Sequence, residues 1–157
     1  MGKNKILKAF TCKWRFRLFA IWKLPMAFLA RLKVRELNDN KSHVSVPYSY
    51  LNKNPFKSMY FAVQSMAGEL STGCLVILHV DGKSISTLVT HLEANFYKKA
   101  VTTINFICLD GEKVLLAIQK ACDTEESQTC TMTSKGYDKY GVCVSEFKVT
   151  WSLKKRN

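Results

Sequence analysis

One stretch of the chain is apolar on almost every side. Met59, Val63, Met66 and Leu70 recur at helical spacing, and Phe61, Ser65, Gly68 and Thr72 form a second face of mostly small residues. A helix apolar all round is a buried helix, and small side chains let its backbone approach a neighbour closely. The spacing predicts that it starts near Phe56–Ser58, because Pro55 holds Asn54 out of helical geometry. Leu75 to Val80 reads either as a strand or as more helix. The helical reading, running to His79 with Asp81-Gly82 as the stop, is favoured.

Strand patterns surround this helix. Lys33–Leu37 and His43–Tyr50 read as a hairpin across Asn38-Asp39-Asn40-Lys41, with Pro47 putting the second strand at an edge or at its end. Ser84–Tyr97 is a long strand, with Leu88, Leu92, Ala94 and Phe96 on one face and Thr87, His91, Glu93 and Asn95 on the other. Val101–Leu109 is another. Asp110 is placed to cap a helix over Gly111–Cys122, with Val114, Leu115, Ile118 and Ala121 facing in. Thr129–Lys135 and Val142–Leu153 close as a hairpin across Gly136–Gly141. In its second strand Cys143, Phe147, Val149 and Trp151 point inward.

Ahead of these elements, residues 3–24 alternate basic and apolar. Ile6, Phe10, Trp14 and Leu18 lie four apart on one helical stripe, Pro25 ends the helix, and Met26–Leu32 forms a second short one. The stripe predicts a helix packed on the domain. Its Trp and Phe also suit a membrane surface, so a weak membrane contact through residues 3–24 is a second expectation. Residues 1–25 are thus a basic amphipathic helical segment, and residues 26–157 one domain.

Charge sharpens this division. The net charge of +12 suggests a nucleic-acid partner until it is located. Residues 1–35 hold ten basic residues and no acidic one, whereas residues 36–153 hold eleven basic and twelve acidic. A positive arm on a neutral body fits a local anionic contact rather than a broad nucleic-acid surface, and neither zinc-finger spacing nor an aromatic–basic RNA signature is present. No uninterrupted apolar run reaches the ~18 residues of a membrane span. The six cysteines contain no C-x-x-C pair and sit mostly in apolar runs, which reads as reduced thiols in a cytoplasmic protein. His43, His79 and His91 are isolated. No metal constellation, cofactor motif or serine–histidine arrangement is visible.

A long buried helix followed by antiparallel strands is the element order of an α+β hotdog fold, an antiparallel sheet wrapped around one long central helix. Four features carry a resemblance from Met26 onward: a hairpin ending in an Asn-bearing loop, an acidic residue fifteen positions after Asn54 on the helix, a long strand ending Phe96-Tyr97-Lys98-Lys99, and an inserted helix before the final hairpin. On these the chain resembles the thioesterase-like hotdog superfamily, in a bacterial branch similar to the phenylacetyl-type (PaaI-like) acyl-CoA thioesterases. In that pattern an Asn precedes His-Gly-Gly and a later acidic residue. By position Asn54 matches the Asn, Tyr60-Phe61-Ala62 stand where His-Gly-Gly stands, and Glu69 matches the acidic residue.

The resemblance implies acyl-thioester hydrolysis, with Glu69 as general base or nucleophile and Asn54 with the Phe61 and Ala62 N–H groups polarising the carbonyl. Tyr60, Ser65, Lys98 and Lys99 would then bind substrate, the lysines meeting coenzyme A phosphates. Each residue also has a purely structural reading: Glu69 as a buried carboxylate held by Ser65 or Thr72, Asn54 as a cap or turn residue, Tyr60 as a core aromatic, and the lysines as solvated charge. One constraint is geometric. Glu69 lies about 11 Å along the helix from Phe61–Ala62, so a single carbonyl cannot touch both in one copy. The expectation is therefore a homodimer or a dimer of dimers, acting on an acyl-CoA or acyl-carrier-protein thioester. The alternative is a non-catalytic acyl-CoA or fatty-acyl binding protein of the same fold.

Overall fold

The computed structural model describes residues 2–124 and 126–156, without the side chain of Asn4. The elements are helices α1 (Lys3–Thr11), α2 (Lys13–Lys23), α3 (Pro25–Leu29), α4 (Phe61–Val80) and α5 (Gly111–Thr124), with strands β1 (Lys33–Leu37), β2 (Ser42–Val46), β3 (Ile85–Phe96), β4 (Ile104–Cys108), β5 (Gln128–Tyr137) and β6 (Cys143–Lys155). The strands form one antiparallel sheet in the order β1-β2-β4-β5-β6-β3. Helix α4 lies across the sheet and packs on β2, β4, β5 and β6, and α5 fills the space between α4 and β5–β6. This is the hotdog arrangement the sequence predicts.

The sheet can wrap α4 because α4 carries small residues where the two meet. A Cβ added at Gly68 would stand 2.8 Å from the ring of Phe147, itself fully buried. Phe147 in turn packs edge-on against Phe96 and Phe106, with centroids 5.6 and 5.7 Å apart. Gly111 plays the same part at the start of α5, where a Cβ would run into the backbone of Asp39–Asn40. Helix α4 continues to Val80, and Gly82, at φ 73°, follows it as the predicted stop. By length and by the mean hydropathy of an 18-residue window (1.4) α4 is apolar enough to cross a membrane, although Gln64, Glu69 and several hydroxyl residues interrupt its apolar run; 67% of that window is buried inside the fold.

Several boundaries differ from the sequence pattern, each for a local reason. Helix α4 starts at Phe61 rather than near Phe56–Ser58. Asn54 Oδ1 accepts from the backbone N–H groups of Phe56 (3.0 Å) and Ser58 (3.2 Å), a local turn that competes with helix, and Lys57 sits at φ 58°. The N-terminal helix is two helices. The chain is extended at Cys12 (φ −77°, ψ 114°), which shifts the helical phase. The buried stripe therefore runs Ile6, Phe10, Phe16, Ala20, and the expected Trp14 and Leu18 are left 59% and 51% exposed.

Strand β3 carries a bulge between Val89 and His91, where two residues oppose one step of β6. An extra residue flips the side-chain alternation. Thr87 and Val89, opposite the buried Leu153 and Trp151, thus share the inner face with Leu92, Ala94 and Phe96, and Leu88 turns out beside His91 and Glu93. Asp110 precedes α5 and its carbonyl accepts from Val114, as expected, but its carboxylate accepts the N–H of Thr133 (2.6 Å) on β5.

One buried residue holds the upper end of the fold. Asn52, fully buried, donates Nδ2–H to the carbonyls of Ala30 and Pro47 (both 2.8 Å), and its backbone carbonyl accepts the N–H of Tyr60 (2.7 Å). His79 is also structural, bonded through Nε2 to the Asp39 carbonyl (2.8 Å). All six cysteines are unpaired, with Cys74, Cys108 and Cys130 buried.

Gly68→Ala is expected to destabilise the protein. Forcing a methyl against Phe147 costs about 1–3 kcal/mol, more than the ~1 kcal/mol that alanine gains over glycine in a helix. Thermal unfolding should show a lowered midpoint. A raised midpoint would mean that Phe147 has room to yield.

Candidate active site

The start of α4 opens on a recess of about 350 Å³, lined by Asn54, Phe61, Gln64, Phe96, Lys98 and Lys99 among others. Four residues singled out in the sequence, Asn54, Phe61, Lys98 and Lys99, thus come together. Tyr60 stands at the rim as the residue before the helix, its ring edge-on to Phe61 at 4.9 Å. Its extended backbone (φ −62°, ψ 134°) ends the loop, and no side chain caps the helix. The N–H groups of Phe61 and Ala62 consequently make no hydrogen bond among the described residues. These are the orphan donors of a helix start, where the helix dipole also favours negative charge.

The polar side chains here are mostly committed. Asn54 Oδ1 takes the two loop N–H groups and the Ser58 hydroxyl (3.3 Å), so Asn54 is a turn-former rather than a cap of α4. Ser65 donates its hydroxyl back to the Phe61 carbonyl (3.0 Å). Lys99 donates to the Phe56 carbonyl (3.2 Å), and Lys98 stands 3.8 Å from the Asp138 carboxylate. Gln64, which the sequence reading passed over, is 4% exposed. Its Oε1 accepts from Ser145 (3.0 Å) and its Nε2 donates to the Met59 carbonyl (3.3 Å), fastening the helix start to β6. Its signal was its position, a long polar side chain in an apolar helix.

Glu69 lies two turns further on and does not enter this recess. It belongs to the open seam of α4 with Phe61, Ala62, Ser65, Met66 and Ile77, residues of the helix that are not fully buried. The carboxylate is half-buried, and burial alone pushes its pKa above the ordinary carboxylate value. Neither hydroxyl expected to hold it does so: Ser65 bonds Phe61, and Thr72 donates to the backbone carbonyl of Glu69 (2.8 Å) while accepting from the Trp151 indole (3.0 Å). Gly73 leaves space beside it, since a Cβ there would stand 3.3 Å from Glu69 Oε1. Among the described residues no hydrogen bond reaches this carboxylate, and a partly desolvated carboxylate is poised to take a proton.

The same seam is bordered by an open strand edge. β3, 12 residues long, ends the sheet, and among the described residues no strand pairs with its outer edge. Leu92 and Phe96, 40% and 46% exposed, stand on its inner face. The opposite edge strand, β1, is short and covered by α1 and α2.

No known protein-family profile and no curated protein matches the chain. Solved structures do match it at low identity. A Pseudomonas aeruginosa protein of unknown function, described as a "Probable Thioesterase", superposes with a TM-score of 0.80 at 17% identity, covering 99% of this chain and 97% of that one. Thioesterase HI1161 from Haemophilus influenzae gives 0.68 at 6% identity, over 96% and 95%. A mutant form of thioesterase PA1618 from Pseudomonas aeruginosa gives 0.69 at 12% identity, over 88% and 92%. At these identities the likeness is one of fold.

Glu69→Gln should stabilise the protein at neutral pH. A carboxyl whose folded pKa is raised above its unfolded value holds its proton more tightly when folded, so its ionisation destabilises the fold as pH rises from the unfolded pKa through the folded one. The variant's thermal midpoint should exceed wild type near pH 7.5. The gap should close below about pH 4, where the carboxyl is protonated in both states. A gap independent of pH would assign the effect to packing.

Proposed function

We propose that the chain hydrolyses an acyl thioester, of the acyl-CoA or acyl-carrier-protein class, as a homodimer or a dimer of dimers. The observation that carries this reading is the open seam of α4. It presents unpaired N–H groups at one end and a half-buried, donor-free carboxylate two turns away. The likeness in fold to thioesterases supports it. A second copy adding antiparallel to the β3 edge would set two α4 helices side by side in opposite directions. The helix start of one copy would then face Glu69 of the other, resolving the ~11 Å separation within a copy.

In such a site the thioester carbonyl oxygen points at the Phe61 and Ala62 N–H groups. Glu69 takes a proton from water as the oxygen attacks the carbonyl carbon, and the oxyanion accepts from the two N–H groups. Collapse breaks the C–S bond, and the proton held by Glu69 passes to the leaving thiolate. Direct attack by Glu69, through an anhydride that water then opens, uses the same groups. Tyr60 and Ser65 border the acyl path, and Lys98 and Lys99 lie where the coenzyme phosphates would emerge. Asn54 acts by shaping the loop. One observation favours the second reading, acyl binding without turnover: the exposed Phe61 side chain occupies the recess mouth, where the resembled pattern has glycine.

A panel of acyl-CoA esters, short, long and aromatic, tests both readings. Hydrolysis by wild type that falls ~100-fold or more in Glu69→Gln supports catalysis. A folded protein inactive across the panel that retains acyl-CoA favours binding. Phe61→Ala keeps the N–H and opens the recess, whereas Phe61→Pro removes the N–H at a first-turn position where the preceding Tyr60 is already extended. The proline variant should be slower than the alanine variant by ~10²–10³. Equal rates would dismiss the Phe61 donor.

The dimer is tested separately. Leu92→Glu places a charge on the inner face of the β3 edge and should leave a monomer in light scattering, with activity lost. Mixing Phe61→Pro with Glu69→Gln should restore activity, because each mixed dimer regains one intact site. No recovery would place both groups' action within one copy.

A further inference from the structure

A cluster of five cations lies at the other edge of the sheet. Helices α2 and α3 and strand β1 enclose a recess of about 480 Å³. Lys13, Arg17, Arg31, Lys33 and Arg35 line it, and among the described residues no carboxylate does. The nearest acid along β1, Glu36, is paired with Lys41 at 2.7 Å. Two of the cations are fixed in place: Arg17 lies over the Phe28 ring at 5.6 Å, and Arg35 Nε donates to Ser45 Oγ at 2.7 Å. Arg31 turns the chain from α3 into β1 at φ 60°, a conformation uncommon outside glycine. The Lys33 ammonium is harder to protonate than usual, first through burial and then through Arg35, Lys13, Arg31 and Arg17 around it. Five like charges held together without a counter-ion disfavour one another, and an arriving anion relieves them all.

The surface beside the recess identifies the kind of anion. On the same two helices Trp14, Leu18, Trp22, Met26 and Leu29 stand 51–81% exposed. A soluble phosphate needs none of them. Tryptophan and aliphatic side chains next to clustered Lys and Arg are what the headgroup boundary of a bilayer receives. We infer that this recess binds the phosphate of an anionic phospholipid at a membrane surface, with Trp14, Leu18, Trp22 and Met26 entering the boundary beside it. The site lies at the β1 edge of the sheet, away from β3 and the thioester recess, and does not depend on the activity proposed there.

The whole 157-residue chain should sediment with vesicles of phosphatidylcholine containing phosphatidylglycerol, and not with phosphatidylcholine alone. Its tryptophan emission should shift to the blue, since Trp14 and Trp22 are exposed and Trp151 is already buried. Arg31→Gln with Lys33→Gln should weaken vesicle binding ~10-fold or more. Lys120→Gln with Lys139→Gln removes the same charge elsewhere and should change it less than ~2-fold. Trp14→Ala with Trp22→Ala, at exposed positions that the fold does not need, should also weaken it. Thermal unfolding of each variant separates lost binding from lost fold. Equal losses in the two charge pairs would reduce the effect to net charge and overturn the inference. So would tight binding to neutral vesicles. Glycerol phosphate that binds as well as vesicles, with no emission shift on vesicles, would replace the lipid with a soluble anion and overturn it too.

Discussion

The contact between Gly68 and the Phe147 ring sets the distance between helix and sheet, and much else depends on that distance. With no side chain at position 68, α4 sinks until Phe147, Phe106 and Phe96 close around it. Sinking so far buries thirteen of the helix's residues and leaves a narrow seam that the sheet does not reach. Glu69 is the neighbour of Gly68. The glycine that allows close packing therefore also decides that the next residue stays at the border of the core, partly dry and short of donors. The proposed chemistry and the packing share one turn of helix.

The opposite ends of the sheet are finished differently. β1 is short, irregular and covered by the N-terminal helices, a common protection of an edge. β3 is long and bare. An edge of this length with apolar side chains on its inner face is a template for another strand. In the proposed dimer that strand is its own copy. The cationic recess follows the same polarity: it lies at the covered edge, and the proposed acyl chemistry lies at the open one.

Periodicity is enough to read most of α4, its stop at Asp81-Gly82, a helix over Gly111–Cys122 and the closing hairpin, because each has an apolar period longer than one turn of structure and clear turn residues at its ends. What periodicity could not show were single-residue phase shifts. The break at Cys12 contains neither proline nor glycine, so Trp14 and Leu18 looked like core, and they are surface. The bulge in β3 lies inside an unbroken run of strand-forming residues, so Leu88 was placed with Leu92, and it turns the other way. Asn54, Phe61, Lys98 and Lys99 are grouped by the family resemblance rather than by any period in the chain, and they line one recess. Gln64 was missed because its partners, Ser145 and Met59, come from elements whose approach no local pattern encodes.

Asn52 gives the two ends of the molecule a common joint. Helices α1 and α2 have 9 and 11 residues, each shorter than the ~12–15 that persist alone in water, so they hold their shape only while docked. The chain that leaves them passes through Ala30, whose carbonyl is gripped by the Asn52 side chain, and the Asn52 backbone carbonyl in turn fixes Tyr60, the last residue before α4. Whatever steadies the cationic corner thus steadies, through one buried residue, the spot where the free N–H groups of α4 begin. A displacement of α3 would reach Tyr60 by the same route, because one asparagine bonds the segment that leaves α3 and the residue that precedes α4.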